Sequence, residues 1–167
     1  MSNLVLELRQ GDMMVVNGAA IRFRSRTRIE LTAHARFLFG RQIMAPQDAD
    51  TPARRIYFAL QTAYIGDDQE RRLGLQDAAE LIDAFKAATT SESAMALLDS
   101  ALACAHADKC YLALRLARRV VRHEDAVLGR EPSLHERTHQ STGKRHAPDD
   151  ADRRSRAVTA TRGGRPA

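Results

Sequence analysis

The spacing of apolar residues along this chain changes near residue 45, and that change restricts the folds it can adopt. Before it, short apolar runs alternate with polar residues and are separated by turn-forming residues, which is typical of β-strands. After it, apolar residues recur at every third or fourth position, as in amphipathic helices. Strands first and helices afterwards predict an α+β protein, with a small antiparallel β-module over residues 1–45 and a compact bundle of about four helices over residues 46–129.

The β-module contains a strong hairpin signal at Asn17-Gly18. This dipeptide favours the two positive φ angles of a type I′ turn, and short apolar runs flank it on both sides. A Leu-rich run near the start predicts a strand before the hairpin, and alternating segments predict two strands after it. The predicted strands cover residues 4–8, 13–16, 19–23, 27–33 and 35–39.

Four helices are predicted in the second half of the chain. Asp50-Thr51-Pro52 is a start signal for the first, because a capping hydroxyl precedes a proline at the first helical position. The second covers residues 68–88, and Gly74 is expected to weaken it. Thr89 and Glu92 have the spacing of a capping box for the third. The fourth follows Asp108-Lys109 and ends at Gly129, the residue type that favours a helix C-terminus.

Residues 130–167 lose this periodicity, so we predict a disordered tail. The tail contains His135-Glu136-Arg137-Thr138-His139, which matches the H-E-x-x-H motif of zinc hydrolases. A catalytic zinc needs both histidines fixed on a packed helix inside a cleft. Pro132 precedes the motif, Gly143 follows it, and no apolar stripe is available to bury it. We therefore predict no metal site here.

The sequence also lacks the patterns expected of other enzymes. It has no phosphate-binding glycine loop, no nucleophile elbow and no cysteine nucleophile with an evident base, so we predict a protein without catalytic activity or cofactor. Cys104 and Cys110 lie in an apolar helical stretch without C-x-x-C spacing and are predicted to be reduced core residues. Without a targeting or membrane-spanning segment, the chain is expected to act in the cytoplasm and not on a membrane.

The charge of the chain points to a polyanionic partner. It carries 26 Lys and Arg against 21 Asp and Glu, which gives a net charge of +5. Such an excess favours nucleic acid, because each cation near a phosphate releases a condensed counterion. A GC-rich genome, which favours arginine codons, is an alternative source of the arginine excess.

Arginines follow one another at every second position after the hairpin turn. On a strand this spacing puts Arg22 and Arg24 on one face, while Ile21 and Phe23 turn toward the core. Arg26 and Arg28 continue this ridge if it crosses a turn at Ser25. Such a ridge of guanidiniums suits a nucleic-acid backbone and exposed bases. The alternative is a charged edge that discourages aggregation between sheets. The predicted RNA-contacting residues are Arg22, Arg24, Arg26, Arg28, Arg36 and Arg41.

A second set of arginines lies in the predicted helices. Four of them are spaced i, i+3, i+4, i+7 and share one face of the last helix. Two more begin the first helix, where the helix dipole disfavours cations. We predict partner binding for both groups, while a solvated face for the four and an internal salt bridge for the two remain alternatives. The residues are Arg115, Arg118, Arg119, Arg122, Arg54 and Arg55.

Particular strings in this sequence resemble the FlbT family of flagellin regulators. They are Leu6-Glu7-Leu8, a turn with Gly11, Asn17-Gly18-Ala19 and, most specifically, Ala-Asp-Thr-Pro-Ala-Arg-Arg-Ile-Tyr-Phe-Ala-Leu over residues 49–60. The resemblance covers residues 3–128 and excludes the tail. It implies a post-transcriptional repressor of flagellum biogenesis that associates with the 5′ untranslated region of flagellin mRNA and promotes its degradation or blocks translation. It also implies the flagellar regulator FlaF as a partner. The family includes relatives that promote flagellin production, which leaves the direction of regulation open.

The first strands also look like the small β-sheet dimers of carbon-storage regulators, which bind mRNA leaders. That analogy suggests an arginine-lined β-surface that holds an unpaired leader segment, and it makes a homodimer an open alternative. The competing hypothesis is a protein-interaction module of flagellar assembly, whose helical surface binds a partner and affects flagellin expression indirectly. Fold alone does not decide between these hypotheses.

Overall fold

The computed structural model describes residues 4–130, in which five strands precede four α-helices. The predicted α+β class is confirmed. The tail that we predict to be disordered, with its H-E-x-x-H motif, lies outside the described residues. The strands are β1 (Leu4–Leu8), β2 (Met13–Val16), β3 (Ala19–Arg22), β4 (Thr27–Leu31) and β5 (Phe37–Phe39).

The strands form two small antiparallel sheets. β2 and β3 make the predicted hairpin, and Asn17 and Gly18 have the φ angles of +47° and +84° that a type I′ turn requires. β5 pairs with the other edge of β2, which gives the strand order β3-β2-β5. β1 pairs with β4 in a separate two-stranded ribbon, with Leu6 opposite Ile29.

β4 ends at Leu31 and β5 begins at Phe37, so both strands are shorter than predicted. For β5 the reason is that the chain just before it supports the hairpin turn. The backbone N–H of Asn17 donates to the carbonyl of Arg36 at 2.8 Å, and the N–H of Arg36 donates to the side-chain oxygen of Asn17 at 3.0 Å. These bonds hold the chain just before β5 against the hairpin loop. The backbone groups of Arg36 therefore bond to a turn, and the strand starts one residue later.

The helices are α1 (Pro52–Ile65), α2 (Asp68–Ala88), α3 (Glu92–His106) and α4 (Cys110–Val127). Thr51 caps α1 and Pro52 is its first residue, as predicted. The predicted capping box of α3 is wrong, because Thr89 already ends α2 by donating its N–H to the carbonyl of Phe85. Ser91 caps α3 instead, with its hydroxyl accepting from the N–H of Ala94.

The core lies between the four helices and β5. Helix α1 packs against α2 and α4, and α3 packs against α4. Gly74, predicted only to weaken α2, permits its close approach to α1, since a Cβ there would lie 2.7 Å from the carbonyl oxygen of Ala59. Small residues at such crossings bring the large aliphatic side chains together. The largest core side chains include Leu38, Ile56, Leu60, Ile82, Leu98 and Val120.

The two cysteines lie within this helical core and are not disulfide-bonded to each other. Cys110 is buried and Cys104 is half-buried, and both are free thiols. Over residues 4–130, no helix is both long and apolar enough to cross a membrane.

Candidate nucleic-acid interface

The arginines that follow the hairpin lie where the chain leaves the sheet of β3 and enters the sheet of β4. Arg22 ends β3, Arg24 and Arg26 lie in the connection, and Arg28 belongs to β4. The predicted ridge crosses a turn at Ser25, and its two ends lie in different sheets, because β3 pairs with β2 whereas β4 pairs with β1. All four side chains are nevertheless exposed, so the chain presents a short cationic connection between two sheets.

The apolar residues between these arginines are less buried than predicted. Ile21 is 41 % exposed and Phe23 is only half-buried. β3 is the outer strand of its sheet, and the helical core receives Leu38 from β5 at the opposite edge. An outer strand far from that contact has less apolar surface to pack against.

One carboxylate lies against two of the exposed arginines. A guanidinium nitrogen of Arg26 is 3.5 Å from a carboxylate oxygen of Glu7, and Arg28 is directly opposite Glu7 in the β1–β4 register. The side chains of Arg26 and Glu7 are 80 % and 68 % exposed. Ion pairs this exposed contribute little to stability, so a phosphate can take the place of the carboxylate at small cost.

The two remaining arginines of the predicted RNA set lie at the junction with the helices. A guanidinium nitrogen of Arg36 is 3.5 Å from Asp108, which adopts a left-handed φ of +61° just before α4. Arg71 of α2 contacts the same carboxylate at 2.9 Å. Arg41 is exposed in a short 3₁₀ turn after β5. Sequence reasoning missed Arg71 and Asp108, whose only signal was the polar break before α4.

The pair of arginines at the start of α1 divides into one structural and one exposed residue. Arg54 donates to the carboxylate of Asp125 at 3.1 Å, and the two side chains are only 25 % and 20 % exposed. The internal salt bridge, which was one of the two alternatives for this pair, is therefore present at Arg54. Arg55 is exposed and lines a groove between α1 and α2.

The arginines of α4 are mostly exposed. Arg115, Arg119 and Arg122 face solvent, whereas Arg118 is half-buried near Tyr57. Burial raises the pKa of the Tyr57 hydroxyl, and the positive charge of Arg118 partly opposes that rise. The Tyr57 hydroxyl donates to the backbone carbonyl of Gln42 at 2.7 Å, next to Arg41.

Glu124 fixes the start of α1 to the end of α4. The Thr51 hydroxyl donates to one oxygen of its carboxylate, and the N–H of Ala53 donates to the other oxygen at 3.1 Å. Neighbouring Asp125 holds Arg54. As an adjacent acidic pair near the end of an amphipathic helix, they indicate in the sequence only a helix end, a solvated pair or partners for the α4 arginines, and not these contacts with α1.

The chain matches the family model described as "Flagellar protein FlbT" over residues 4–128. The chain belongs to the FlbT family. The resemblance drawn from short strings is thereby confirmed, and the family match covers nearly all of the described residues. The most specific of those strings, residues 49–60, contains the cap of α1 and the residues that Glu124 and Asp125 hold, so part of it has a structural explanation.

Curated relatives from Brucella carry a name that describes a role. The proteins of Brucella ovis and Brucella abortus are each 30 % identical over 129 residues, which cover 76 % of this chain and 83 % of theirs. The protein of Brucella anthropi is 29 % identical over 128 residues, which cover 75 % of this chain and 82 % of its own. Each is named "Probable flagellum biosynthesis repressor protein FlbT". No solved structure matches the chain.

Proposed function

We propose that this chain is a post-transcriptional repressor of flagellum biogenesis. In this proposal it binds the 5′ untranslated region of flagellin mRNA in the cytoplasm and promotes degradation of the message or blocks its translation. It acts by binding and not by catalysis. The repressor role is supported by family membership and by the names of the Brucella relatives.

The observation that supports direct RNA contact is the exposed cationic connection from Arg22 to Arg28. Guanidiniums donate paired hydrogen bonds to phosphates and to guanine edges. Within residues 4–130 the arginines of this segment are exposed, and the nearby carboxylate of Glu7 is itself exposed. An unpaired RNA segment therefore has access both to the charges and to the half-buried ring of Phe23, on which a base can stack.

The α4 arginines provide a matched comparison for this segment. Arg115 and Arg119 are exposed like Arg22 and Arg24, but they are carried by a helix whose other face is packed in the core. Replacing either pair by alanine removes two positive charges. A purely electrostatic attraction depends on total charge and responds alike to both changes, whereas a specific site responds to one of them.

The test is a titration of the full chain with the flagellin 5′ leader at several salt concentrations, beside Arg22→Ala/Arg24→Ala and Arg115→Ala/Arg119→Ala proteins. We expect the first variant to bind leader RNA more weakly, with a salt slope that is shallower by about 1.4, since each lost single-strand phosphate contact removes about 0.7. The second variant should keep leader binding and serves as the control. Circular dichroism confirms that both variants are folded.

Equal losses in both variants, or equal binding to leader and control RNA, would contradict direct recognition through the connection. The alternative is then a protein-interaction module that affects flagellin expression through a partner such as FlaF. A groove of about 420 Å³ between α1 and α2 favours this second function, since Arg55 on its rim and Phe58 and Leu81 in its lining offer mixed charged and apolar contacts.

A further inference from the structure

The ribbon of β1 and β4 has an apolar face that the rest of the described chain covers incompletely. Within residues 4–130, neither strand packs extensively on a helix or on another strand besides its ribbon partner. Leu8 is buried, but Leu4 is 43 % exposed and Ile29 is only partly buried. A two-stranded ribbon is marginally stable in water on its own. The residues of this face are Leu4, Leu6 and Leu8, paired with Leu31, Ile29 and Thr27.

The opposite face of the ribbon carries charges in a particular order. On β4, Arg28 and Glu30 flank Ile29, and across the ribbon they lie opposite Glu7 and Val5. Within the described residues β4 pairs with β1 alone, so its second edge has no strand beside it. An edge of this kind is a template for another strand.

We propose that a second copy of this chain pairs along that edge, with the two β4 strands antiparallel and Ile29 opposite Ile29 of the second copy. Each Arg28 then lies directly opposite Glu30 of the other copy. Because of the two-fold symmetry, the dimer contains two such oppositely charged pairs. The same surface is used on both copies, as in most symmetric dimers. The proposal does not depend on RNA binding.

The charges select this register over its neighbours. If the β4–β4 pairing is shifted by one residue, the apolar face of one copy lies on the same side of the sheet as the polar face of the other. A shift of two residues keeps the faces but places Arg28 opposite Arg28, or Glu30 opposite Glu30, and like charges in that position are destabilising. Pairing through β1 centred on Leu6 places Val5 opposite Glu7, without an opposite-charge pair.

The dimer extends the ribbon into a four-stranded sheet with the order β1-β4-β4-β1. Its central apolar row is Leu6, Ile29 and the same two residues of the second copy, which makes the face continuous across the symmetry axis. Three or more strands with one apolar face have the stability that a two-stranded ribbon lacks. The incomplete burial of the ribbon in one chain is thus explained by the missing half of its sheet.

The test uses two variants, each of which reverses one of the two charges on β4. We expect sedimentation velocity of the full wild-type chain to show a monomer–dimer equilibrium. Glu30→Arg and Arg28→Glu should each weaken it by about tenfold or more, because both cross-strand pairs become repulsive. An equimolar mixture of the two variants should form a heterodimer, in which both pairs are again opposite in charge. Arg24→Glu, which changes charge outside β4, is the control and should dimerise like the wild type.

A cysteine at the symmetry axis tests the register without a change of charge. Directly opposite residues of antiparallel strands have Cα atoms about 4.5–5.5 Å apart, which is within the range of a disulfide. With an added oxidant, Ile29→Cys protein should cross-link into dimers, whereas Val5→Cys protein, altered on the outer strand, should not. A chain that stays monomeric at every concentration, or a dimer that is indifferent to the charge reversals and to Ile29→Cys, would overturn the proposal. The monomer result would assign the ribbon face to a different protein.

Discussion

Residues of the same type have different surroundings on the inner faces of the helical bundle and on the outer strands of the β-module. In the bundle, Ile82 is 1 % exposed and Arg54 is held by a carboxylate of another helix. In the β-module, Ile21 is 41 % exposed and Arg24 faces solvent. The bundle also exposes Arg115, Arg119 and the apolar side chain of Val127, so the difference concerns its inner faces, which are closed by packing and by ion pairs.

That difference indicates where to look for binding. An arginine that closes an internal ion pair must break it before it can contact a partner, and breaking a partly buried pair leaves a carboxylate unpaired. In the connection, Arg26 forms an ion pair with Glu7, but both side chains are mostly exposed, so breaking that pair costs little. Exposed apolar residues in the same module offer a partner both charge and apolar surface, which supports the proposal that the β-module binds RNA on a scaffold provided by the bundle.

The largest expected effect comes from making the same substitution in both regions. Ile82→Ala should lower the free energy of unfolding by about 3 kcal/mol, because it leaves a cavity in a closely packed helical core. Ile21→Ala should lower it by less than about 1 kcal/mol, because much of that side chain is already in water. Urea unfolding of the two variants beside the wild type measures both. If the losses are similar, β3 is packed as tightly as the bundle and the comparison fails.

A smaller effect separates two adjacent arginines within the bundle. Arg54→Ala should cost about 1–3 kcal/mol of stability, since it leaves the half-buried carboxylate of Asp125 without its guanidinium partner. Arg55→Ala should stay within about 0.5 kcal/mol of the wild type, because Arg55 is exposed. Chemical unfolding measures the difference, and Arg55→Ala is the charge-matched control. Indistinguishable stabilities would show that the Arg54–Asp125 pair is not structural and would return Arg54 to the predicted partner-binding set.

Much of the fold was readable from local chemistry. Asn17-Gly18 specifies its turn because few other residue types adopt two positive φ angles without strain. Thr51-Pro52 specifies the start of α1 because the Thr51 side chain accepts from a free N–H group and Pro52 has no N–H. Gly129 likewise follows the end of α4 with a φ of +65°. Signals of this kind act over a few residues and do not depend on the rest of the chain.

What local chemistry could not supply was the pairing of distant segments. Alternation in residues 19–33 predicts strands but not that β3 and β4 enter different sheets, so the sequence could not show that the arginine ridge is divided between two sheets. The Arg54–Asp125 pair joins residues that are 71 positions apart. The functions of Glu124, Arg71 and Asp108 likewise emerge only when α4 is packed against α1 and α2.

The smallest expected effect tests the exposed contact between Arg130 and Asp50, which lie just beyond the ends of α4 and α1. Arg130 donates to both carboxylate oxygens of Asp50, at 3.3 and 3.2 Å, and this hydrogen bonding lowers the pKa of Asp50 below its ordinary value. A carboxyl group whose pKa is lower in the folded state stabilises the fold above its unfolded pKa of about 3.9, and that contribution disappears as the pH falls through the folded pKa. We therefore expect Arg130→Gln to raise the pKa of Asp50, measured from its carboxyl NMR signal. It should also reduce the free energy of unfolding by a small amount that is constant above about pH 5 and becomes smaller below about pH 4. Arg130→Lys, which keeps the charge but loses the paired geometry, should give an intermediate pKa. An unchanged Asp50 pKa in Arg130→Gln would mean that the contact is not formed in solution, and it would weaken the comparison by removing one paired arginine from the helical region.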